Sequence, residues 1–286
     1  PVLLTEVDQT LESLDLSHGS TVIVAVSGGP DSCVMAHAVA TCAPELGLVV
    51  RLAHFNHRVR SPEEHDRDRD TVNRLAHELA VDLLVGEAAA DEIATAAVEA
   101  GEGMEAAARE RRYAFLLDSA RSVGARAVAV GHTADDQLET LLFRLFTGRG
   151  ASITGLRAME PVRPFDTDNP HLLLTRPLLN VSRASVLQYA REHRISFQVD
   201  RTNLSTRFAR GALRTEVIPA IERSFPNWRA ALRSLLERQQ LLGDAVLAAA
   251  GALEWNPTPG TVSCSTRRFL ELSGGARLAA LHIACG

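Results

Sequence analysis

The chain has 286 residues, 46% of them hydrophobic, and a net charge of −5, so it can bury a large core plus a smaller second domain. The four cysteines form no C-x-x-C pair, which argues against a disulfide framework, a zinc ribbon and a cysteine-ligated iron–sulfur site. All 30 basic residues are arginine, which excludes a lysine base, Schiff base or phosphate-loop lysine. With no membrane-length apolar run and no signal peptide, we expect a cytoplasmic protein with no membrane partner.

The first predicted elements are an amphipathic helix over residues 2–16 and a buried strand over 21–26, a run of apolar and β-branched residues. Small residues follow at 27–29, and a helix is predicted from Asp31 onward. Such a strand, turn and helix N-terminus can bind an anion, because backbone N–H groups point outward, glycine allows close approach and the helix dipole favours negative charge.

The whole string SGGPDS at 27–32 is a stronger signal than its two glycines, which an ordinary strand-to-helix turn also contains. It is not a Walker A loop, because Gly-Lys-Ser/Thr is missing, and it is not a dinucleotide fingerprint, because the glycines are adjacent. The string predicts a loop that binds phosphate.

A second strand, predicted at 47–53, ends in the polar run HFNHRVR at 54–60. A lone histidine at such a position is usually structural, but two histidines, an asparagine and two arginines together favour a ligand site. Open α/β sheets bind ligands at the carboxyl ends of their strands.

The next segments are a solvated, charged helix over 63–79, a strand over 81–85 and a loop with a weak helix over 87–103. A clear helix is predicted over 103–123. It places Glu105, Arg109 and Arg112 along one face, a pattern that is also common in surface ion-pair ladders.

A fourth strand at 126–130 leads into a second informative stretch, GHTADDQLETLLFRLFTGRG at 131–150. If the helix includes them all, one face carries four polar side chains: His132, Asp135, Asp136 and Glu139. Three carboxylates this close repel one another unless a cation lies among them, so Mg²⁺ or an ammonium group is a candidate ligand. A solvated acidic helix start is the alternative. It does not explain His132 or the apolar residues Leu138, Leu141 and Leu142, which imply a half-buried helix.

The remaining pattern predicts a surface loop at 161–170, a short strand at 172–179, and helices over 183–193, from 208 to a break at 225–226, and over 228–250. Alternating strands and helices indicate an α/β fold with a doubly wound parallel sheet over residues 1–205. We expect residues 206–286 to form an appended small helical domain. Between 201 and 238, eight arginines face three glutamates, so this segment is a candidate nucleic-acid contact despite the negative total charge.

The order of the motifs resembles the tRNA(Ile)-lysidine synthetase family of the N-type ATP pyrophosphatase superfamily. The motifs are SGGPDS (27–32), HFNHRVR (54–60), MEAAARERRY (104–113), GHTADDQLET (131–140), GRG (148–150), TRPLL (175–179), DRTN (200–203) and RFARGALRTEVIP (207–219). The resemblance implies an adenine nucleotide alpha hydrolase-like fold of the ATP pyrophosphatase type.

The resemblance also implies a function. ATP, with Mg²⁺, would adenylylate the wobble cytidine of tRNA(Ile) with a CAU anticodon, and free L-lysine would then displace AMP at C2 of the base. The partners would be that tRNA and L-lysine, and related enzymes are often homodimers.

Roles follow from matching positions. The loop that holds the ATP phosphates would be Ser27, Gly28, Gly29, Pro30, Asp31 and Ser32, and Asp31 and Asp136 would hold the metal. The adenosine side would be lined by His54, Asn56, His57 and His132. The catalytic groups would be Asp31, Arg109, Arg112, Asp135, Asp136 and Glu139, of which the last three hold Mg²⁺ or the cationic lysine. The tRNA or substrate contacts would be Arg60, Arg176, Arg207, Arg210, Arg214, Arg229 and Arg233.

Longer members of the family carry a further C-terminal domain for the acceptor arm. We expect no room for one here, so tRNA recognition would rely on the arginines of 201–238. Three other functions share features with this chain. A tRNA cytidine thiolase would normally need cysteine pairs, a small-molecule synthetase has no reason for GHTADDQLET followed by a basic tail, and a non-catalytic binding module would not need three carboxylates near a phosphate loop.

Overall fold

The computed structural model describes residues 2–59, 61–101, 103–148, 159–166, 169–198, 209–258 and 261–285. The chain divides into two compact units. The first unit is Pro1–Asp136 with Glu160–Thr202, and the second unit is Gln137–Met159 with Asn203–Gly286. The predicted boundary at residue 205 lies outside the described residues. The second unit also takes in a stretch around 137–159 that the sequence analysis placed in the first domain.

The first unit is built on a six-stranded sheet in the order β3-β2-β1-β4-β6-β5. Its strands are β1 (Thr21–Ala25), β2 (Val49–Asn56), β3 (Asp82–Glu87), β4 (Ala127–Ala129), β5 (Val162–Pro164) and β6 (Leu173–Thr175). All neighbouring pairs are parallel except β5 and β6. The strand order reverses between β1 and β4, the position at which open α/β sheets bind ligands. The predicted doubly wound fold class is therefore confirmed.

Helices cover both faces of this sheet: α1 (Val2–Glu12), α2 (Pro30–Cys42), α3 (Pro62–Glu78), α4 (Glu92–Glu99), α5 (Met104–Ser122) and α7 (Arg183–Glu192). The helix between α5 and α7 in the chain, α6 (Ala134–Phe146), begins in this unit and continues into the second. Val22 and Val24 of β1 pack into one core with residues of α1, α2 and α7, whereas Ile23 packs into a second core with Leu116 of α5. Because side chains alternate along a strand, β1 is buried on both sides, as its continuous apolar run predicts.

Several predicted element bounds were wrong. The first helix, predicted over 2–16, ends at Glu12, and the last strand, predicted over 172–179, is limited to Leu173–Thr175. The segment 161–170, predicted as a loop, contains β5, an edge strand that pairs antiparallel with β6 and ends at Pro164, where a missing N–H costs no ladder hydrogen bond. The second strand extends to Asn56 rather than stopping at 53, so His54 lies within the sheet.

The second unit begins within α6, after Asp136, and is mainly helical. It contains α8 (Ala209–Ala212), a π-helix (Leu213–Val217), α9 (Ile218–Ser224), α10 (Trp228–Gly251), the hairpin strands β7 (Asn256–Thr258) and β8 (Thr261–Ser263), α11 (Thr266–Glu271) and α12 (Gly274–Cys285). The predicted break at 225–226 is confirmed. One core joins the apolar face of α6 to Leu213 and Trp228, and another joins α10 to α12. No helix in the described ranges is long and apolar enough to cross a membrane.

Gly86 of β3 lies directly beneath the ring of Phe115 on α5. A Cβ atom at Gly86 would lie 2.4 Å from that ring, which itself stacks on Phe55 at a centroid distance of 5.3 Å. We expect Gly86→Ala to lower the free energy of unfolding by about 1–3 kcal/mol, measured by denaturant titration, because the ring must move. Gly103→Ala is the control, since nothing lies within 4 Å of a Cβ atom there. Equal stability of the two variants would contradict the prediction.

Candidate nucleotide-binding site

The loop between β1 and α2 is held in shape by its own small residues. Gly28 has φ +90°, a conformation that favours glycine. The hydroxyl of Ser32 accepts from the backbone N of Ser27 at 3.1 Å and donates to the carbonyl of Gly29 at 2.9 Å. Pro30 occupies the first turn of α2, where a missing N–H is tolerated. The loop therefore presents backbone groups at a helix N-terminus, as an anion site requires.

Two other segments lie against this loop. The carboxylate of Asp68, on α3, is buried beside Gly28, where a Cβ would lie 3.4 Å from Asp68 Oδ1. The backbone N of Gln198 donates to the carbonyl of Gly28 at 2.8 Å, and its side-chain amide donates to the Thr71 hydroxyl at 2.9 Å. Treating the charged run 63–70 as entirely solvated was wrong for Asp68. Its spacing of three and four residues from Thr71 and Val72 was the available signal.

Gly131, which follows β4, lies next to the same loop. A Cβ atom at this position would lie 3.3 Å from backbone atoms of Asp31 and Ser32. That distance is tighter than an ordinary van der Waals contact. The backbone after β4 thus approaches the start of α2 closely, at the point where the strand order reverses.

Asp31, the second residue of α2, forms an ion pair with Arg183, the first residue of α7, at 2.8 Å. The backbone N of Arg183 donates to Asp135 at 2.7 Å. Ser182 caps α7 by accepting from the backbone N of Ser185 at 3.1 Å, as predicted. Sequence reasoning did not single out Arg183, because its partners lie far away in the chain.

The predicted acidic face is only partly formed. Because α6 begins at Ala134, His132 precedes the helix, and placing it on the helix face was wrong. Asp136 accepts from the backbone N and hydroxyl of Thr133, at 2.8 and 2.9 Å, and so caps α6. Glu139 belongs to the second unit, where it is buried and pairs with Arg214.

Asp135, Asp136 and Glu139 therefore each bond to a different group. Across the residues that the structure describes, no three His, Cys, Asp or Glu side chains are grouped so as to hold a metal ion. Metal binding by Asp31 and Asp136 stays a prediction.

At the end of β2, His54 is buried, and its Nδ1 lies 2.9 Å from the carbonyl oxygen of Val26, just before the phosphate loop. Glu87 of β3 accepts from Asn56 at 3.0 Å and from Arg58 at 2.6 Å. Arg58 has φ +52°, so its backbone lies in the left-handed region. Glu87 was not predicted from the sequence.

The ring of His57 packs edge-on against Phe55, with 5.0 Å between the centroids. Arg60, at the end of the same polar run, lies outside the described residues. His54 thus joins this polar run to the residue that precedes the phosphate loop.

Arginines gather around Tyr113 on α5. Arg109 donates to the Tyr113 hydroxyl at 2.8 Å, and its guanidinium carbon lies 4.6 Å from the ring centroid. The guanidinium carbon of Arg112 lies 5.9 Å from that centroid. Burial lowers the pKa of Arg112, and the nearby charge of Arg109 lowers it further.

Arg176, which follows β6, is buried at 5% exposure and donates to the carbonyl oxygen of Glu160. Burial lowers the pKa of its guanidinium, and the charges of Arg163 and Arg109 lower that pKa further. A buried cation near other cations is costly without an anion. The first unit therefore carries a positively charged cluster, Arg109, Arg112, Arg163 and Arg176, suited to an anionic ligand.

Comparison with known proteins identifies the fold family. The PP-loop domain family matches residues 3–221. The chain belongs to this family. PP-loop domains are ATP-using, and SGGPDS supplies the small-residue loop at the switch point of the sheet.

Named relatives of this PP-loop chain are tRNA(Ile)-lysidine synthases. That of Dehalococcoides mccartyi is 40% identical over 210 residues, which is 72% of this chain and 43% of the relative. That of Symbiobacterium thermophilum is 36% identical over 249 residues, which is 85% of this chain and 49% of the relative. The chain thus spans about half the length of the curated relatives it matches. These matches confirm the resemblance drawn from the motifs.

A solved structure, the U34-tRNA thiolase NcsA from Methanococcus maripaludis, superposes on the chain with a TM-score of 0.65. The match covers 85% of this chain and 78% of the thiolase at 15% sequence identity. It supports the PP-loop fold and carries no argument about activity.

The PP-loop match ends before α10, where further predicted arginines lie. Arg229 pairs with Glu222 at 2.6 Å, and its guanidinium carbon lies 4.9 Å from the ring centroid of Trp228. Arg229 and Arg233 line one shallow cleft of the second unit together with Asn227, Ser234 and other residues near the start of α10. Arg207 and the side chain of Arg210 lie outside the described residues.

Proposed function

We propose that this chain ligates free L-lysine to C2 of the wobble cytidine of tRNA(Ile) with a CAU anticodon, using ATP. The cytidine O2 attacks the α-phosphorus and releases pyrophosphate. The lysine amine then attacks C2, and AMP leaves with that oxygen. The observation that carries the proposal is the SGGPDS loop, with Gly28 at φ +90° and Asp31 at the start of α2, in a chain 40% identical to a tRNA(Ile)-lysidine synthase.

The phosphate loop would bind the pyrophosphate end of ATP. Glycine at 28 lets an oxygen approach the backbone, and the N-terminus of α2 favours its charge. The hydroxyls of Ser27 and Ser32, 3.1 Å apart, would fix the loop before the nucleotide arrives. This pre-organisation lowers the entropy cost of binding.

Mg²⁺ fits this donor set. In nucleotide sites Mg²⁺ is usually held by one or two carboxylates plus substrate phosphates and water, so a preformed three-ligand group is not required. Asp31, with its side chain 19% exposed beside the loop, would be the carboxylate that holds it, and Asp136 is the second candidate. When bound, the ion would neutralise charge on the leaving pyrophosphate.

The arginine cluster Arg109, Arg112, Arg163 and Arg176 would stabilise negative charge on the nucleotide and the activated base. Guanidinium groups suit this task because their planar donors bind phosphate oxygens in pairs. The lowered pKa of Arg112 and Arg176 reflects desolvation that a bound anion would offset.

Sulfur chemistry is disfavoured at the loop. Cys33 is the cysteine that follows SGGPDS in the chain, and burial raises the pKa of its thiol to about 12, so it stays protonated. A thiolase needs a thiolate or a cluster ligand. The lysine ligation requires neither.

Glu139 is the carboxylate that we propose for the lysine substrate. We expect Glu139→Gln to raise the KM for lysine about tenfold or more, since a charge-assisted contact is lost, while the KM for ATP changes little. Steady-state kinetics with each substrate varied would measure both. Equal effects on the two KM values would show that Glu139 acts through its pairing with Arg214 and not on lysine.

Arg229 and Arg233 are the arginines proposed to contact tRNA phosphates. We expect the double charge reversal to Glu to weaken tRNA binding about tenfold or more and to reduce the slope of log K against log salt by about 2. The matched control is Arg267→Glu with Arg268→Glu on α11, exposed arginines of the same unit. An equal loss of tRNA affinity in the control would mean that the weaker binding comes from the change in total charge and not from the loss of a specific contact.

The test of the reaction class is the release of pyrophosphate from ATP. We expect release to require the tRNA, and formation of AMP to require lysine as well. ATP turnover without tRNA but with a small-molecule acceptor would contradict the proposal. Homodimerisation, expected from the resemblance, is tested by light scattering on the same sample.

A further inference from the structure

Three helix N-termini meet beside the phosphate loop. Arg183, the first residue of α7, bonds through its side chain to Asp31 at the start of α2 and through its backbone N to Asp135 at the start of α6. The backbone N of Ala134 also donates to the carbonyl of Val181, at 3.0 Å. Helix N-termini carry partial positive charge, and here the carboxylates of Asp31 and Asp135 lie at that end of their helices, in contact with Arg183.

The position of Arg183 runs against the usual charge preference of a helix. A cation in the first turn of a helix is disfavoured by the helix dipole, and here the guanidinium of Arg183 reaches toward the positive end of a second helix. Local violations of such preferences concentrate at functional sites. Its side chain is 52% exposed, so a ligand entering the loop can reach it.

We propose that Arg183 binds the pyrophosphate portion of ATP. This inference rests on the proposed function, whose first step releases pyrophosphate. In the structure, the carboxylate of Asp31 accepts from this guanidinium at 2.8 Å. When the nucleotide arrives, the same guanidinium turns to the phosphate oxygens, and Asp31 becomes available to a metal ion.

The ion pair thus keeps Asp31 and Arg183 beside the phosphate loop, where Asp31 would bind the metal ion and Arg183 the phosphates. A planar guanidinium can donate two parallel hydrogen bonds to phosphate oxygens, which a first-turn backbone N–H cannot do. A structural role would be different: Arg183 would only fasten α7 to α2, and its loss would affect every nucleotide equally.

The test compares ligands with and without the pyrophosphate group on the full chain. Dissociation constants for α,β-methylene-ATP, inorganic pyrophosphate and AMP are measured by calorimetry with Mg²⁺, for wild type, Arg183→Gln and Arg183→Lys. Arg191→Gln is the matched control, an exposed arginine in the last turn of the same helix. Thermal melting of each variant checks that it folds.

We expect Arg183→Gln to weaken binding of the ATP analogue and of pyrophosphate about tenfold or more, with AMP within about twofold. The lysine variant should recover part of the loss, and the control should match wild type. An unchanged affinity for pyrophosphate, or equal losses for AMP and the analogue, would overturn the role of Arg183 alone. If the wild type binds neither the ATP analogue nor pyrophosphate, the proposed function is overturned as well.

Discussion

Replacing Asp31 by alanine is expected to lower the rate of ATP-dependent lysine transfer by about three orders of magnitude. Its carboxylate stands at the N-terminus of α2, next to a loop whose hydroxyls and glycines are already arranged for phosphate. Without it, the proposed metal loses a carboxylate ligand and Arg183 loses its ion-pair partner. The measurement is the single-turnover rate of AMP release with saturating tRNA and lysine.

Asp118→Ala is the control for this variant, because Asp118 is an exposed carboxylate of the same unit, on α5. It should retain the wild-type rate. A rate for Asp31→Ala within about tenfold of wild type would remove Asp31 from the reaction, since losing a metal-bound charge should cost far more.

We expect Arg176→Met to lower activity without lowering thermal stability. The guanidinium of Arg176 is 5% exposed and lies near other arginines, so an apolar side chain of similar length removes a buried cation. We expect the thermal midpoint to stay equal or rise, while lysine transfer falls about a hundredfold because a charge that stabilises the transferred phosphoryl group is lost.

The control for Arg176→Met is Arg74→Met, at an exposed position on α3. It should change neither the thermal midpoint nor the rate. If Arg176→Met instead unfolds at a much lower temperature, then the hydrogen bond to the carbonyl of Glu160 is a structural tie. An unchanged rate of lysine transfer in the folded variant would contradict the catalytic role.

The strand, loop and helix at 21–42 were predictable from the sequence because the signals there are local. A continuous apolar run gave β1, and adjacent glycines followed by Pro and Asp gave the phosphate loop and the start of α2. The doubly wound fold class followed from alternating strands and helices, since right-handed crossovers leave few arrangements, but the strand order was not predicted. Ser182 was a recognisable cap for the same local reason.

Contacts between distant residues could not be predicted in this way. Arg183 meets Asp31 across 152 positions, and Glu87 meets Arg58 across 29, so no spacing rule reveals either pair. The strand β5 is three residues long and includes a proline, and it exists because β6 offers an edge to pair with. The hydrophobic periodicity of the sequence carries no information on its antiparallel direction.

The stretch after Asp136 shows a partial success. The apolar residues Leu138, Leu141 and Leu142 indicated a half-buried helix, and they are buried. They pack against Leu213 and Trp228 in the second unit, which the pattern alone could not reveal. The pairing of Glu139 with Arg214 follows from that packing, so the acidic cluster was predicted from a helix face without knowledge of what covers it.

Lysine ligation itself is tested by incorporation of labelled lysine into tRNA(Ile) with a CAU anticodon. We expect labelling that requires ATP, is absent from the methionine tRNAs that share this anticodon and is lost with Asp31→Ala. Labelling of every CAU tRNA alike would contradict the proposed specificity. No labelling, with ATP turnover on another acceptor, would contradict lysine ligation while leaving the PP-loop fold and its phosphate loop in place.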